Sequence, residues 1–396
     1  MQANGREIEV EEHQKISHSH SMPMLMGNSM SRGIPFQMQS LSIQQSYESL
    51  LWGLEFEKVK DQYANQQQTE EQNEFECMWS SIIGNSSAQR EQFSKMHQEY
   101  VPFAENEFAS VQNAWELAKQ FHSEGRLTEA VLAAEVAAKQ QPENWEVWRL
   151  LGECHSENEM ECKALAAYRK CLDLNPTCLS VLINMSVSLT NEGYEMNAVS
   201  LLNRWICKKY GFTLDEENSI SREELTGFFL SALKTIPEAK SDTDLQLGLG
   251  LLKYNQFEFD KAVDCFELAV KREPKNCILW NTLGATLANS GKSEAALENY
   301  QKALSLRPGF IRARHNLAIG CINIGCYEHA ASNLVKCLEI QSIGQANVSF
   351  TSEAIWETLK RCFNLMNNSE LVERCSQRDI EYFVYQYSND ANSLGE

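Results

Sequence analysis

From about residue 100 to residue 385, apolar residues recur every three or four positions, the spacing that gathers them on one face of an α-helix. Short polar turns cut this pattern into helix-sized pieces that come in pairs. The pairs repeat: Gly250 and Gly284 are 34 residues apart, as are Ala262, Ala296 and Ala330, and Pro274 and Pro308. Small residues at such positions let two antiparallel helices approach closely, and a large residue near Tyr168 is expected to fill the gap to the next pair. Each pair then carries an apolar face that only its neighbour can cover, so stacking is required for stability.

Residues 280–325 hold the clearest copy, with Gly284, Gly291, Ala296, Tyr300, Ala303 and Pro308 at the spacings of the tetratricopeptide pattern. Earlier copies carry Leu117, Gly125, Ala130, Ala137 and Pro142, and then Trp148, Leu151, Gly152, Ala164, Tyr168 and Pro176. A third keeps Gly193 and Ala198 but loses the closing proline. Between residues 206 and 242 the period breaks: a loop-like stretch precedes one amphipathic helix with Leu225, Phe228, Phe229 and Leu233 near one face, read as a degenerate repeat acting as a hinge. After Ile340 a polar loop leads to two further helices that leave the repeat and cap its open end.

The expected fold is therefore all-α: a tetratricopeptide-repeat superhelix of two blocks of about three repeats. Its segments are a largely disordered tail at 1–98, a first block at 99–205, the degenerate repeat at 206–242, a second block at 243–341 and a helical cap and tail at 342–396. The tail is rich in Gln, Ser, Glu, Asn and Met and cannot bury enough apolar surface to offset the entropy of ordering. His18 and His20 have no further ligand nearby and read as solvated. Trp52 and Phe56 lie four apart, so one helical turn puts both rings on one face beside Leu51 and Val59. That pattern suits a helix that docks in a partner's groove, or one that folds back on the repeats. A second island at 78–83 is less patterned.

Composition narrows the function. The formal charge of -19 opposes binding to nucleic acid or anionic membrane and favours basic or protein partners. Thirteen cysteines, an odd number without a CxxC pair, read as small buried hydrophobes in a reducing compartment. With no signal peptide and no apolar run near membrane-span length, a soluble cytosolic protein is expected. GxSxG, HExxH, Walker and GxGxxG motifs are all missing, which points to a protein that is not an enzyme and needs no metal or cofactor.

Binding chemistry is instead threaded through the repeats. Residues four or seven apart share a helix face, so Asn281, Ala285 and Asn289 form one stripe, and Arg312, Asn316 and Asn323 another with Gly320 beside it. Asn184, Val187 and Asn191 form a third. Asn191, Asn289 and Asn323 are equivalent, each two before a turn glycine. The first helices of stacked repeats line the concave side, so these stripes should face one channel. A carboxamide matches the alternating N–H and C=O groups of an extended peptide, and asparagine ranks low for helix interiors. Arg312 offers a fork for a carboxylate, while Ala285 and Gly320 leave room. Together they suggest a site for the last residues of an extended peptide with a free carboxylate.

WNTLGATLAN and RPGFIRARHNLAIGCINIG, with VSLTNEG, LGLGLLKYNQFEFDKAVDCF and SEAIWETLKRC, closely resemble the receptor family for type 1 peroxisomal targeting signals, whose repeats bind C-termini of the Ser-Lys-Leu type. The resemblance implies that Asn191, Asn281, Asn316 and Asn323 bond the peptide backbone and carboxylate, and that Asn289 and Arg312 complete the polar floor. Ala285 would border the leucine pocket, and Thr190 and Glu192 would sit near the basic penultimate residue. Such a terminus is an address read by a soluble receptor. The resemblance further implies that Trp52 and Phe56 form a WxxxF motif docking on a protein of the peroxisomal membrane, with the receptor cycling between cytosol and membrane. Two features depart from the family: a single WxxxF, and no cysteine before Cys77. The alternative from the same resemblance is a paralogous adaptor whose groove takes the C-termini of membrane channels or other clients. A chaperone-linked clamp for acidic tails would need several Lys or Arg on these faces, where Arg312 stands alone.

Overall fold

The computed structural model describes residues 99–212, 221–342 and 351–390. The readings at His18, His20, Trp52, Phe56 and residues 78–83 lie outside the described residues. Among those described, regular structure is helical throughout. The first block contains α1 (Ala114–Glu124), α2 (Leu127–Gln140), α3 (Trp145–Glu157), α4 (Glu161–Leu174), α5 (Leu179–Asn191) and α6 (Glu195–Tyr210). A single helix, α7 (Arg222–Thr235), and a 3-10 turn at Glu238–Ser241 precede α8 (Thr243–Asn255), α9 (Phe259–Arg272), α10 (Cys277–Asn289), α11 (Ser293–Leu306), α12 (Ile311–Asn323) and α13 (Tyr327–Ser342). Then come α14 (Glu353–Leu365), α15 (Ser369–Gln377) and α16 (Ile380–Asp390).

Equivalent helices start by the same local chemistry. Pro142 and Pro274 cannot continue a helix. Two residues later Asn144 and Asn276 accept an N–H of the new helix, from Glu146 and Ile278, both at 3.1 Å. Such a cap is worth about 1 kcal/mol. Trp148 and Trp280 then donate their indole N–H back to the proline carbonyls at 2.8 and 2.9 Å. In α12 the equivalent residue is Arg314, which makes the same bond to the Pro308 carbonyl at 3.0 Å.

The aromatic residue of each repeat packs first inside its own pair, which corrects the expectation that it fills the gap to the next. A Cβ added at Gly284 would come within 2.7 Å of the Tyr300 ring, and one at Gly152 within 2.4 Å of Tyr168. Tyr300 also touches the next repeat, 4.0 Å from the corresponding point at Gly320. Both tyrosines are buried, and sequestering a ring of this size contributes about 1.5 to 3 kcal/mol.

The period breaks later than residue 206, because α6 runs on to Tyr210. Helix α7 starts with a capping box between Ser221 and Glu224 and packs on both α6 and α8. Leu225, Phe229 and Ala232 are buried, and Phe229 stacks on Trp205 with ring centres 6.0 Å apart. Beyond the repeats, the second expected capping helix divides in two. Arg378 takes a left-handed conformation (φ 53°) that ends α15, and α16 returns to pack on α13.

The two blocks meet again at their far ends, where α12 packs on α3 and α13 on α2. The approach is close enough that a Cβ on Gly309 would lie 2.2 Å from the Gly125 carbonyl oxygen. Thr128 donates to the Ile340 carbonyl at 3.0 Å, and Gln341 to the Asn158 carbonyl at 2.7 Å. The described repeats thus form a closed ring. Of the described cysteines, all free, Cys162 and Cys326 are exposed and Cys207 is half-buried; the rest are buried. No helix among the described residues is long and apolar enough to cross a membrane.

Candidate ligand-binding cavity

The ring surrounds a cavity open to solvent. The first helices of the repeats supply most of its wall, because their second helices are turned outward against neighbouring pairs. From α5 come Asn184, Val187, Thr190 and Asn191; from α10, Asn281 and Ala285; from α12, Arg312 and Asn316. Eight of the residues singled out in the sequence thereby line one cavity: Asn184, Val187, Thr190, Asn191, Asn281, Ala285, Arg312 and Asn316.

At the centre of the second-block wall the Asn316 side-chain amide donates to the Asn281 carboxamide oxygen at 2.9 Å. Asn281 is buried and Asn316 half-buried. With that bond made, the Asn281 N–H groups and the Asn316 oxygen provide donors and an acceptor on adjacent helices, the pattern an extended chain end requires. Across the cavity, Asn191 donates to Glu161 at 3.3 Å and Asn184 to Glu153 at 3.3 Å.

Arg312 reaches the wall, yet its fork is largely engaged by protein. Its Nε donates to the Ser156 carbonyl at 2.9 Å. One terminal nitrogen lies 2.5 Å from Glu161, a close ion pair off the hydrogen-bond direction, and the other lies 3.4 Å from Glu159. His315 faces Glu159 at 3.3 Å. These partners run from the last turn of α3 to the start of α4 in the first block, so Arg312 joins the blocks as well as facing the cavity. The fork read from sequence as suited to a carboxylate is therefore already paired within the protein.

The electrostatics of this cluster are uneven. Burial raises the Glu159 carboxyl, but Arg312 and His315 outweigh it and hold the group at about 2. Burial raises Glu161 against the pull of Arg312. Glu192, half-buried at the end of α5, is driven up to about 8 by burial and by Glu161, with Arg312 opposing. Deeper in the ring, Arg307 bonds Glu157 and lies 3.5 Å from His122.

Four residues read from sequence do not line this cavity, among them Gly320, where an added Cβ would come within 2.6 Å of Leu297 rather than open space. Asn289 is buried and donates to the Tyr254 hydroxyl. Asn323 and Glu192 are half-buried at the ends of their helices. Residues not singled out complete the apolar part, notably Leu247, Leu251 and Tyr254 on α8. The repeat register held the signal for them: Leu247 and Leu251 are the equivalents, 34 residues earlier, of Asn281 and Ala285.

The paired helices and their spacing define a tetratricopeptide-repeat protein, and models of the tetratricopeptide repeat match residues 116–177, 243–276 and 265–298. The curated relatives are more specific. A peroxisomal targeting signal receptor of Kluyveromyces lactis is 38% identical over 298 residues, 72% of this chain and 52% of the relative. Receptors so named in Candida albicans and Debaryomyces hansenii are 39% identical over 296 residues (70% of this chain, 50% of the relative) and 34% identical over 377 residues (87% and 62%). This chain belongs to the family of peroxisomal targeting signal receptors, and it spans about half the length of the curated relatives it matches.

Proposed function

We propose that this protein is a receptor that binds the extended C-terminus of peroxisomal cargo, of the Ser-Lys-Leu type, in the cavity of its repeat ring. The observation that carries the reading is the meeting of Asn191, Asn281, Asn316, Ala285 and Arg312 around one cavity. Asn281, Asn316 and Asn191 would bond the peptide backbone and its terminal carboxylate. Arg312, fixed by Ser156, Glu159 and Glu161, would add positive potential there. Leu251 and Tyr254 beside Ala285 would house the terminal apolar side chain. Thr190 lies on the wall, and Glu192 at the end of α5, where a basic penultimate residue would meet its carboxyl group and favour its ionised form. Asn289 would act through Tyr254, which it holds in place.

Loaded receptor would reach the peroxisomal membrane through Trp52 and Phe56, which lie outside the described residues, and return to the cytosol. The relatives' names support the import role, and the amide-lined wall supports the ligand. Titration of the full chain with a fluorescent peptide ending in Ser-Lys-Leu tests it. Micromolar or tighter binding, about -8 kcal/mol or better, is expected; binding weaker than millimolar would overturn the assignment.

A further inference from the structure

Ahead of the first helix, residues 100–111 form a strap packed against the helices of the first block, and none of them lines the cavity. Asn106 donates its side-chain amide to the Leu132 carbonyl at 2.9 Å, and Gln140 donates to the Val111 carbonyl at 2.6 Å. The start of the strap reaches three helices at once. The Tyr100 hydroxyl gives its proton to Glu135 on α2 at 2.6 Å and accepts from Nε2 of His155 on α3 at 2.7 Å. The Phe103 N–H donates to both oxygens of Glu135 at 3.1 Å, and Lys163 on α4 donates to the Val101 carbonyl at 2.5 Å. Glu135 is 1% exposed and His155 0%. Burial, reinforced by Lys163, holds His155 well below its ordinary range, so its ring is neutral. Nδ1 of that ring has no hydrogen-bond partner among the described residues, which leaves the Tyr100 hydroxyl as the side chain's one partner there.

His155 is also where the turn between α3 and α4 closes. Its carbonyl accepts the Met160 N–H at 2.9 Å and the Asn158 N–H at 3.1 Å, around Glu159, which takes a left-handed conformation (φ 60°) that L side chains rarely adopt. The residues directly after His155 reach the cavity and the seam. The Ser156 carbonyl accepts Arg312 Nε at 2.9 Å, Glu157 bonds Arg307, and Ser156, Glu157 and Arg312 all line the cavity. From Tyr100 to Arg312 every link is thus a hydrogen bond or a single peptide step.

We infer that Tyr100 is a positioning residue for the cargo cavity, a role that rests on the peptide site proposed there: through His155 it fixes the α3–α4 turn, and through that turn the placement of Arg312 toward the peptide carboxylate. Loss of the hydroxyl leaves a buried imidazole without a hydrogen bond and takes one from a buried carboxylate, so the end of α3 loosens. The strap therefore belongs to the working part of the ring although it precedes the first repeat helix.

Tyr100→Phe in the full chain removes the hydroxyl and keeps the ring that packs edge-on against Trp148 at 5.7 Å. Val101→Ala, at a side chain 66% exposed in the same strap, is the control. Amide hydrogen exchange without peptide is expected to be faster at residues 156–161 in Tyr100→Phe than in wild type or Val101→Ala. A fluorescent peptide ending in Ser-Lys-Leu is expected to bind Tyr100→Phe about threefold or more weakly than wild type. Its amidated form, which lacks the charge Arg312 attracts, is expected to bind the two chains alike. Unchanged exchange at 156–161, faster exchange with unchanged affinity, or an equal loss for both peptides would overturn the inference while wild type still binds. Wild-type chain that fails to bind the peptide would instead remove the receptor reading, and this role with it.

Discussion

Asn316 on α12 donates to the side-chain oxygen of Asn281 on α10 at 2.9 Å, so the two central asparagines of the cavity wall orient one another. Neither repeat alone presents the ligand-facing pattern, since each carboxamide fixes which edge the other turns to the cavity. Removing one partner leaves the other misoriented and short of a bond. Asn316→Ala should therefore cost about 1 to 3 kcal/mol of peptide affinity while the fold stays intact. Anisotropy titration alongside a circular-dichroism melt separates the two effects; unchanged affinity would mean that Asn316 does not face the ligand.

Closure of the ring depends on backbone approaching backbone at Gly309 and Gly125. A methyl group at Gly309 meets the Gly125 carbonyl oxygen at 2.2 Å, which no side-chain adjustment relieves. Gly309→Ala should move α12 away from α3, enlarge the radius of gyration by small-angle scattering, and weaken peptide binding because Asn191 and Asn316 lie on opposite sides of the seam. A variant with wild-type scattering and affinity would show that the seam tolerates the extra volume.

Arg312 is the one guanidinium among Glu159, Glu161 and Glu192. Arg312→Ala leaves buried carboxylates unpaired and should cost about 3 to 5 kcal/mol of stability, measurable by urea denaturation. The loss should shrink in acid. Glu159 has a depressed folded value of about 2, so its contribution is present above its ordinary carboxylate range and disappears as pH falls from about 4.5 toward 2. An equal loss at pH 7 and pH 3 would exclude this cluster as the source.

Glu192 runs the other way. Its folded value is raised to about 8, so the unfolded chain releases that proton more readily, and stability falls as pH rises from about 4.5 to 8. Glu192→Gln cannot ionise. It should match wild type near pH 4 and melt at a higher temperature at pH 9, and a melting difference that does not change with pH would contradict the assignment.

Trp52→Ala should leave peptide affinity unchanged and abolish docking. Import complementation in cells lacking the receptor reads this directly; full complementation would reduce the motif to a structural role.

Much of this was legible in the sequence because the scaffold repeats. The 34-residue interval from Gly250 to Gly284 placed the helices, and helical periodicity put Asn281 and Ala285 on one face of α10 and Arg312 and Asn316 on one face of α12. What the sequence did not carry was contact between distant repeats. Arg312 read as a free fork because its partners Glu159 and Glu161 are some 150 residues away in the chain and meet it only on ring closure. Asn289 shares its stripe with Asn281, yet the Tyr254 hydroxyl from the preceding repeat draws it off the wall. Leu247 and Leu251 were hidden for the opposite reason: leucine in a helix reads as core, and only alignment with Asn281 and Ala285 shows that they face the cavity.

The central claim, that the asparagine-lined wall receives a free C-terminus, is tested most directly by comparing two peptides that end in Ser-Lys-Leu, one with a free carboxylate and one amidated. Their affinities for the full chain are measured by isothermal titration calorimetry under identical conditions. The amidated peptide is predicted to bind at least about tenfold more weakly, a loss of about 1.4 kcal/mol or more. Equal affinities would contradict the account.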